Sequence, residues 1–297
     1  MAASFFNPNS HCNHVRSTSL PSKPHPLILK CNEYLAKLEA SAAASSSPPP
    51  PPPPPLSHKL GELQDLHDSV EKLVQLFDTC EVLVRECQDE LLDGSLRLLD
   101  ACTAAKDALL HTKECAREVR SIMRRKRGRE MELTVEVRKY LTCRKVVKKA
   151  ISKALGNLKS SSNKCKFTPS HKGHQNGELV SLFKDVEAVT VHVLESLLSF
   201  ICGTTQSKSN NWSLVSKLMH NRRVSCTQEA DENEFTIVDA AFQSLVFHSS
   251  GKPENTDLLQ NQLENLETVI QDFVEGLETL FRRFIKTRVA LLNILNH

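Results

Sequence analysis

The chain has 297 residues, of which 25% are charged, 5% are aromatic and only 9 are glycine. That is enough chain to bury a real core, but so few aromatics and glycines argue against a sandwich, barrel or propeller of many short strands. The net charge of +3 conceals a segregated distribution, with −7 over residues 56–116, +13 over 117–166 and −5 over 167–297. Such asymmetry implies either internal pairing of acidic and basic helices or a basic surface offered to an anionic partner.

Residues 1–25, rich in Asn, Ser, His and Pro, read as a disordered arm. Pro26 can open a short helix over 26–40 through Leu27, Ile28, Tyr34, Leu35 and Leu38. Residues 41–56 are a Ser/Pro-rich linker whose run Pro48 to Pro55 favours polyproline II, reaching roughly 25 Å at about 3.1 Å per residue. A ligand for a proline-binding domain is the other use of such a run, although no flanking Arg orients it.

From 57 to 297 the pattern is that of a helical bundle domain. Ser57 is placed to cap a helix carrying Leu63, Leu66, Val70, Leu73 and Phe77 at spacings of three and four. A second helix is expected from near Thr79 to about Arg127, with Leu98, Cys102, Ala105, Leu109, Thr112, Ala116, Val119 and Met123 as its stripe. Asp93-Gly94-Ser95 could kink or restart it, and Gly128 is a natural stop. A third covers about 130–158 on Leu133, Val137, Tyr140, Leu141, Val147, Ile151, Leu155 and Leu158. A loop over 159–177 then precedes a helix at 178–201, which is apolar on most faces and so belongs at the centre. A short helix near Trp212 to Met219, a loop at 225–233 and a helix at 234–248 follow.

The terminal helix has the strongest pattern. From a cap at Thr256 or Asp257 it places Leu259, Leu263, Leu266, Ile270, Phe273, Leu277, Leu280, Phe284, Thr287, Leu291 and Ile294 at alternating steps of four and three. Such a seam is the core of a bundle or one strand of a coiled coil with another molecule. Long helices with matching seams and no strand pattern predict an all-α, elongated antiparallel bundle, of unspecified oligomeric state.

Two features are candidates for function. The first is the basic segment 124–153: the cluster Arg124, Arg125, Lys126, Arg127 and Arg129, then Lys145, Lys148 and Lys149 on a helix that also carries Arg138, Lys139, Arg144, Lys153 and Lys159. A basic helix end complements the macrodipole; the functional readings are a nuclear import signal, an anionic membrane contact or a nucleic-acid patch. Tyr140 is the one interleaved aromatic, which speaks against base stacking and against nucleic acid as a partner. Acidic helices at 57–77 and beyond could instead line this helix's edges.

The second is the arm. Arg16-Ser17-Thr18-Ser19-Leu20-Pro21 fits R-S-x-S-x-P, the pattern of segments bound by phosphoserine-reading 14-3-3 proteins. A phosphate on Ser19 would meet an Arg cluster, and Pro21 would turn the chain out of the groove. Ser225, after Arg222 and Arg223, likewise suits a basophilic kinase.

Catalytic signatures are not found: the sequence has no G-x-G-x-x-G, phosphate-binding loop, G-x-S-x-G, H-E-x-x-H or EF-hand loop. The expectation is a non-enzymatic protein with no cofactor. Cys165, His171 and His174, and separately His11, Cys12 and His14, are read as solvated side chains rather than metal sites. Ten scattered cysteines without a C-x-x-C pair, and no secretory leader, favour a reducing intracellular compartment, cytoplasmic or nuclear. Residues 1–30 contain no acid, a faint transit-peptide cue too weak to favour the chloroplast.

Several blocks carry a resemblance: RSTSLPSKPHPL near the start, HKLGELQDLHDSVEKLVQL after the linker, QDELLDGSLRLLDACTAAKDALLHTKE, RRKRG and the terminal LFRRFIKTRVALLNILNH. Together they resemble a plant-specific family related to the BYPASS proteins of root and shoot development. The resemblance implies an all-helical land-plant protein, no catalytic residues to carry over and a developmental role. The eight-proline run departs from the shorter Ser-rich linker of that family.

Overall fold

The structure is a computed structural model that describes residues 25–43, 55–76, 88–125, 130–162, 174–203, 233–247 and 256–296. Among them the fold is all-α, with helices α1 (Pro26–Ala43), α2 (Leu56–Leu76), α3 (Gln88–Arg124), α4 (Glu130–Ser162), α5 (His174–Cys202), α6 (Glu234–Phe247) and α7 (Thr256–Asn296). At 1.5 Å per residue, α3 and α7 are about 55 and 60 Å long, which makes the bundle elongated. No helix among the described residues is long and apolar enough to cross a membrane.

The helix ends follow local chemistry. His25 opens α1: the Leu27 N–H donates to its Nδ1 at 3.2 Å, and Pro26 takes the first helical position. For α2 the expected cap shifts back. Pro55 accepts at its carbonyl from the His58 N–H at 2.9 Å, so Ser57 lies inside the helix. Asn233 serves two helices at once. Its Oδ1 accepts from the Thr236 N–H at 2.9 Å to cap α6, while its Nδ2 donates to the Phe200 carbonyl at 2.8 Å near the end of α5. Gly203 ends α5 at φ +74°, a left-handed turn whose missing Cβ would lie 2.7 Å from Thr236 Cγ2.

Two expectations about helix continuity are corrected. Asp93-Gly94-Ser95 does not restart α3, which runs unbroken from Gln88. Gly94 is there for proximity, since a Cβ would meet Glu187 Oε1 of α5 at 2.7 Å. The 159–177 loop is also shorter than expected, because α4 continues to Ser162 and α5 starts at His174. The expected start near Thr79, the stop at Gly128 and the short helix near Trp212 lie outside the described residues.

The α7 seam is the spine of the core. Leu259, Leu263, Leu266, Ile270, Phe273, Leu277, Leu280, Phe284 and Leu291 are all buried. α3 runs antiparallel to α7, pairing Lys106 with Glu278 at 2.8 Å and Arg124 with Glu264 at 3.2 Å. α2 lies along α7 in the same direction: Gln64 reaches the Gly276 carbonyl, and Arg283 contacts Asp68 and Glu71. α5 touches α1, α2, α3, α4 and α6, the central place its apolar faces demand. α1 packs on α2 and α5 through Ile28, Cys31, Leu35 and Leu38.

Candidate functional site

The basic segment divides into three parts by the company its side chains keep. At the end of α3, cations and α7 acids form a ladder. Arg117 and Arg120 meet Glu267 at 3.5 and 3.2 Å, and Arg120 and Arg124 meet Glu264 at 3.6 and 3.2 Å. Arg125 donates to Ser121 Oγ at 2.8 Å. This part of the cluster is tied to its own bundle. Lys126, Arg127 and Arg129 lie outside the described residues, as do Arg16, Ser17, Ser19, Pro21 and Ser225.

The second part is buried. Arg144 stands with the basic residues in the sequence but points into the core, where its side chain is 2% exposed. Its Nε donates to Asp239 Oδ1 of α6 at 3.0 Å, and its Nη2 donates to the Ile201 carbonyl of α5 at 2.7 Å. Its guanidinium lies 5.0 Å from the centroid of the Phe235 ring. Lys148 reaches the other carboxylate oxygen, Asp239 Oδ2, at 2.9 Å. Beneath them Tyr140 packs edge-on against Phe242, and burial, with the Asp239 carboxylate adding to it, holds its phenol well above the usual range. One acid on α6 thus holds two cations of α4 and closes the end of α5.

What remains is a strip. Arg138, Lys145, Lys149, Lys153 and Lys159 are exposed, and none has an ion-pair partner among the described residues. At 100° per residue they fall within an arc of about 120° and span about 30 Å of the helix. No acid follows Glu136 in α4, and Glu136 is taken by Lys139 at 2.8 Å. The acids of α2 do not relieve the strip, because Asp68 and Glu71 engage Arg283 and Lys286 of α7. The opposite face of α4 is spent on the core through Val137, Tyr140, Val147, Ile151 and Leu158. The arrangement can therefore bind an extended anionic surface by charge, with the exposed Met131, Val135 and Val146 as the apolar side chains α4 leaves at the surface.

A small concavity lies between α2, α3, α5 and α7, lined by His67, Val70, Leu98, Phe183, Val186 and Phe284. Its volume is about 70 Å³, room for one or two waters rather than a metabolite. His67 bonds Thr190 Oγ1 through Nε2 at 2.8 Å and stacks edge-on against Phe284. Burial depresses its pKa to about 3, so the ring is neutral at pH 7. Sequence reasoning singled out neither His67 nor the Arg144–Asp239 pair. The signal for the pair was available: Arg144 falls in register with Val137, Tyr140, Val147 and Ile151, and Asp239 with Phe235 and Phe242.

Compared with known proteins, the chain matches the model of a family described as Protein BPS1 over residues 59–294. Neither a curated protein nor a solved structure matches it.

Proposed function

The chain belongs to the BPS1 family, and from that premise we propose that it is a non-enzymatic regulatory or scaffold protein of plant root and shoot development, working through protein contacts. The observation that carries the contact surface is the unneutralised strip Arg138, Lys145, Lys149, Lys153 and Lys159 on an otherwise anchored helix. Five cations on a rigid element suit an acidic partner segment, and a phosphate on Ser19 in the R-S-x-S-x-P pattern of the arm adds a phospho-regulated docking point. Partner capture from plant extract by the wild type, set against Lys145→Glu/Lys149→Glu/Lys153→Glu, tests the surface; equal capture by both sinks it. If Ser19→Ala leaves 14-3-3 capture unchanged, the docking point is removed from the proposal.

A second reading is peripheral attachment to an anionic membrane through segment 124–153. It is supported by the same strip, chiefly as a charge contact, because most of the apolar stripe of α4 is buried and only Met131, Val135 and Val146 are exposed beside the cations. Vesicles rich in anionic lipid at low salt are the permissive condition, since screening is then weakest. Lack of binding there ends this reading. Localising a C-terminally tagged protein beside a variant neutralised at 124–129 separates the sites of action. Loss of nuclear signal marks an import signal, and loss of membrane signal marks a lipid contact.

A further inference from the structure

The α3–α4 interface brings together three side chains that the sequence keeps apart. His111 and Cys115 are four residues apart on α3 and so share a face. Cys143 comes from α4, which runs antiparallel beside it. One ligand atom from each lies within 4.8 Å of the others. The helices are close at this point, where the Cys143 thiol lies 3.7 Å from the His111 carbonyl oxygen as donor to it. His111 is exposed, Cys115 half-buried and Cys143 buried, so the cluster opens to solvent on one side only.

We propose that His111, Cys115 and Cys143 form a binding site for a thiolate-seeking divalent cation, Zn2+, with water in the fourth position. Metal–sulfur bonds of about 2.3 Å and metal–nitrogen bonds of about 2.0 Å require donor separations of roughly 3.5–3.8 Å in a tetrahedron. The cluster is therefore within about 1 Å of closing, and the exposed His111 ring is free to make that adjustment by rotation. Two cysteines and a histidine select zinc over magnesium or calcium, which prefer oxygen donors. Three protein ligands with an open fourth position form a recognised zinc arrangement.

The step balances simply. The two S–H bonds break, two Zn–S bonds form, two protons leave to solvent and the ion sheds waters. The dication with two thiolates and a neutral imidazole is a neutral centre. Burial, with Cys115 beside it, pushes the Cys143 thiol up to about 12, so this cysteine holds its proton until a cation displaces it. The bound ion would pin α3 to α4 between Arg138 and Lys145, fixing how the basic strip is presented.

The test uses the full chain, reduced with a phosphine and stripped with chelator. Titration with Co2+ should give the thiolate charge-transfer and intense visible bands of a tetrahedral site, saturating at one ion per chain. Zn2+ should then bleach them. His111→Ala changes an exposed side chain and should leave the circular dichroism intact. It and Cys115→Ser should weaken Zn2+ binding, measured against a chromophoric chelator, by more than the about 10–100-fold of an outer-shell change. Absence of tetrahedral bands in the wild type overturns the site. So does equal affinity in the variants, which would assign the metal to the other cysteines. Reduced protein that binds no cation but forms a Cys115–Cys143 disulfide on mild oxidation also overturns it, in favour of a redox pair.

Discussion

At the scale of single residues, Asp239 is the side chain on which most depends. It is 7% exposed and is shared by Arg144 and Lys148. Removing one partner of a buried pair strands the other charge, at a typical cost of about 3–5 kcal/mol. Asp239→Ala should lower the urea midpoint accordingly, and Arg144→Met/Asp239→Leu should recover much of the loss because no charge is left behind. His67 makes a prediction of a different kind. Its ordinary pKa of 6.5 applies in the unfolded chain, against about 3 in the fold. Between those values the unfolded state binds more protons, so this contribution is full above pH 6.5 and is lost as the pH falls towards 3. The slope is at most about 1.4 kcal/mol per pH unit. His67→Gln should flatten stability against pH between 6.5 and roughly 4.5 relative to the wild type, which denaturation at a series of pH values measures directly.

At the scale of elements, two glycines separate proximity from conformation. Gly94 sits inside α3 facing the flexible end of Glu187, which also meets Arg97 at 3.0 Å. Gly94→Ala gains up to about 1 kcal/mol of helix propensity and displaces a half-exposed ion pair worth about as much or less, so it should shift stability by less than about 1 kcal/mol. Gly203→Ala meets two obstacles, a positive φ and Thr236 Cγ2 at 2.7 Å. The left-handed conformation alone costs a residue with a Cβ about 1–2 kcal/mol, so Gly203→Ala should be the more destabilising of the two in thermal melts. Asn233 adds to the same corner by capping α6 and reaching back to α5.

At the scale of the molecule, charge is sorted by partner. The acids of α7 meet the cations of α3, the acids of α2 meet the cations of α7, and one acid of α6 takes two cations of α4. The outward strip of α4 is left over, and its five like charges repel one another across the helix turns. Replacing Lys145, Lys149 and Lys153 by Glu should therefore leave the melting temperature almost unchanged while reversing the effect of salt on binding an anionic partner. Wild-type binding should weaken as salt rises, because the Debye length shortens from about 10 Å at 0.1 M to about 3 Å at 1 M. A variant that lost stability along with binding would show the strip to be structural.

The helices were legible from the sequence, because a 3.6-residue period over many turns leaves few other ways to bury the apolar stripe. The α7 seam was legible residue by residue, and so was the central place of α5. Fine boundaries were less so, since Pro55 rather than Ser57 precedes α2, and Gly94 lies within an unbroken helix. Which basic residues stay on the surface depends on how the helices pack. Arg144 and Lys145 are neighbours in the chain, yet one is buried on Asp239 and the other is solvated, because a single residue step turns a side chain by about 100°. The same holds for His111, Cys115 and Cys143. Their spacing along the chain carries no metal signature, and their meeting depends on the register in which α4 folds back on α3, a relation between two helices that no local pattern encodes.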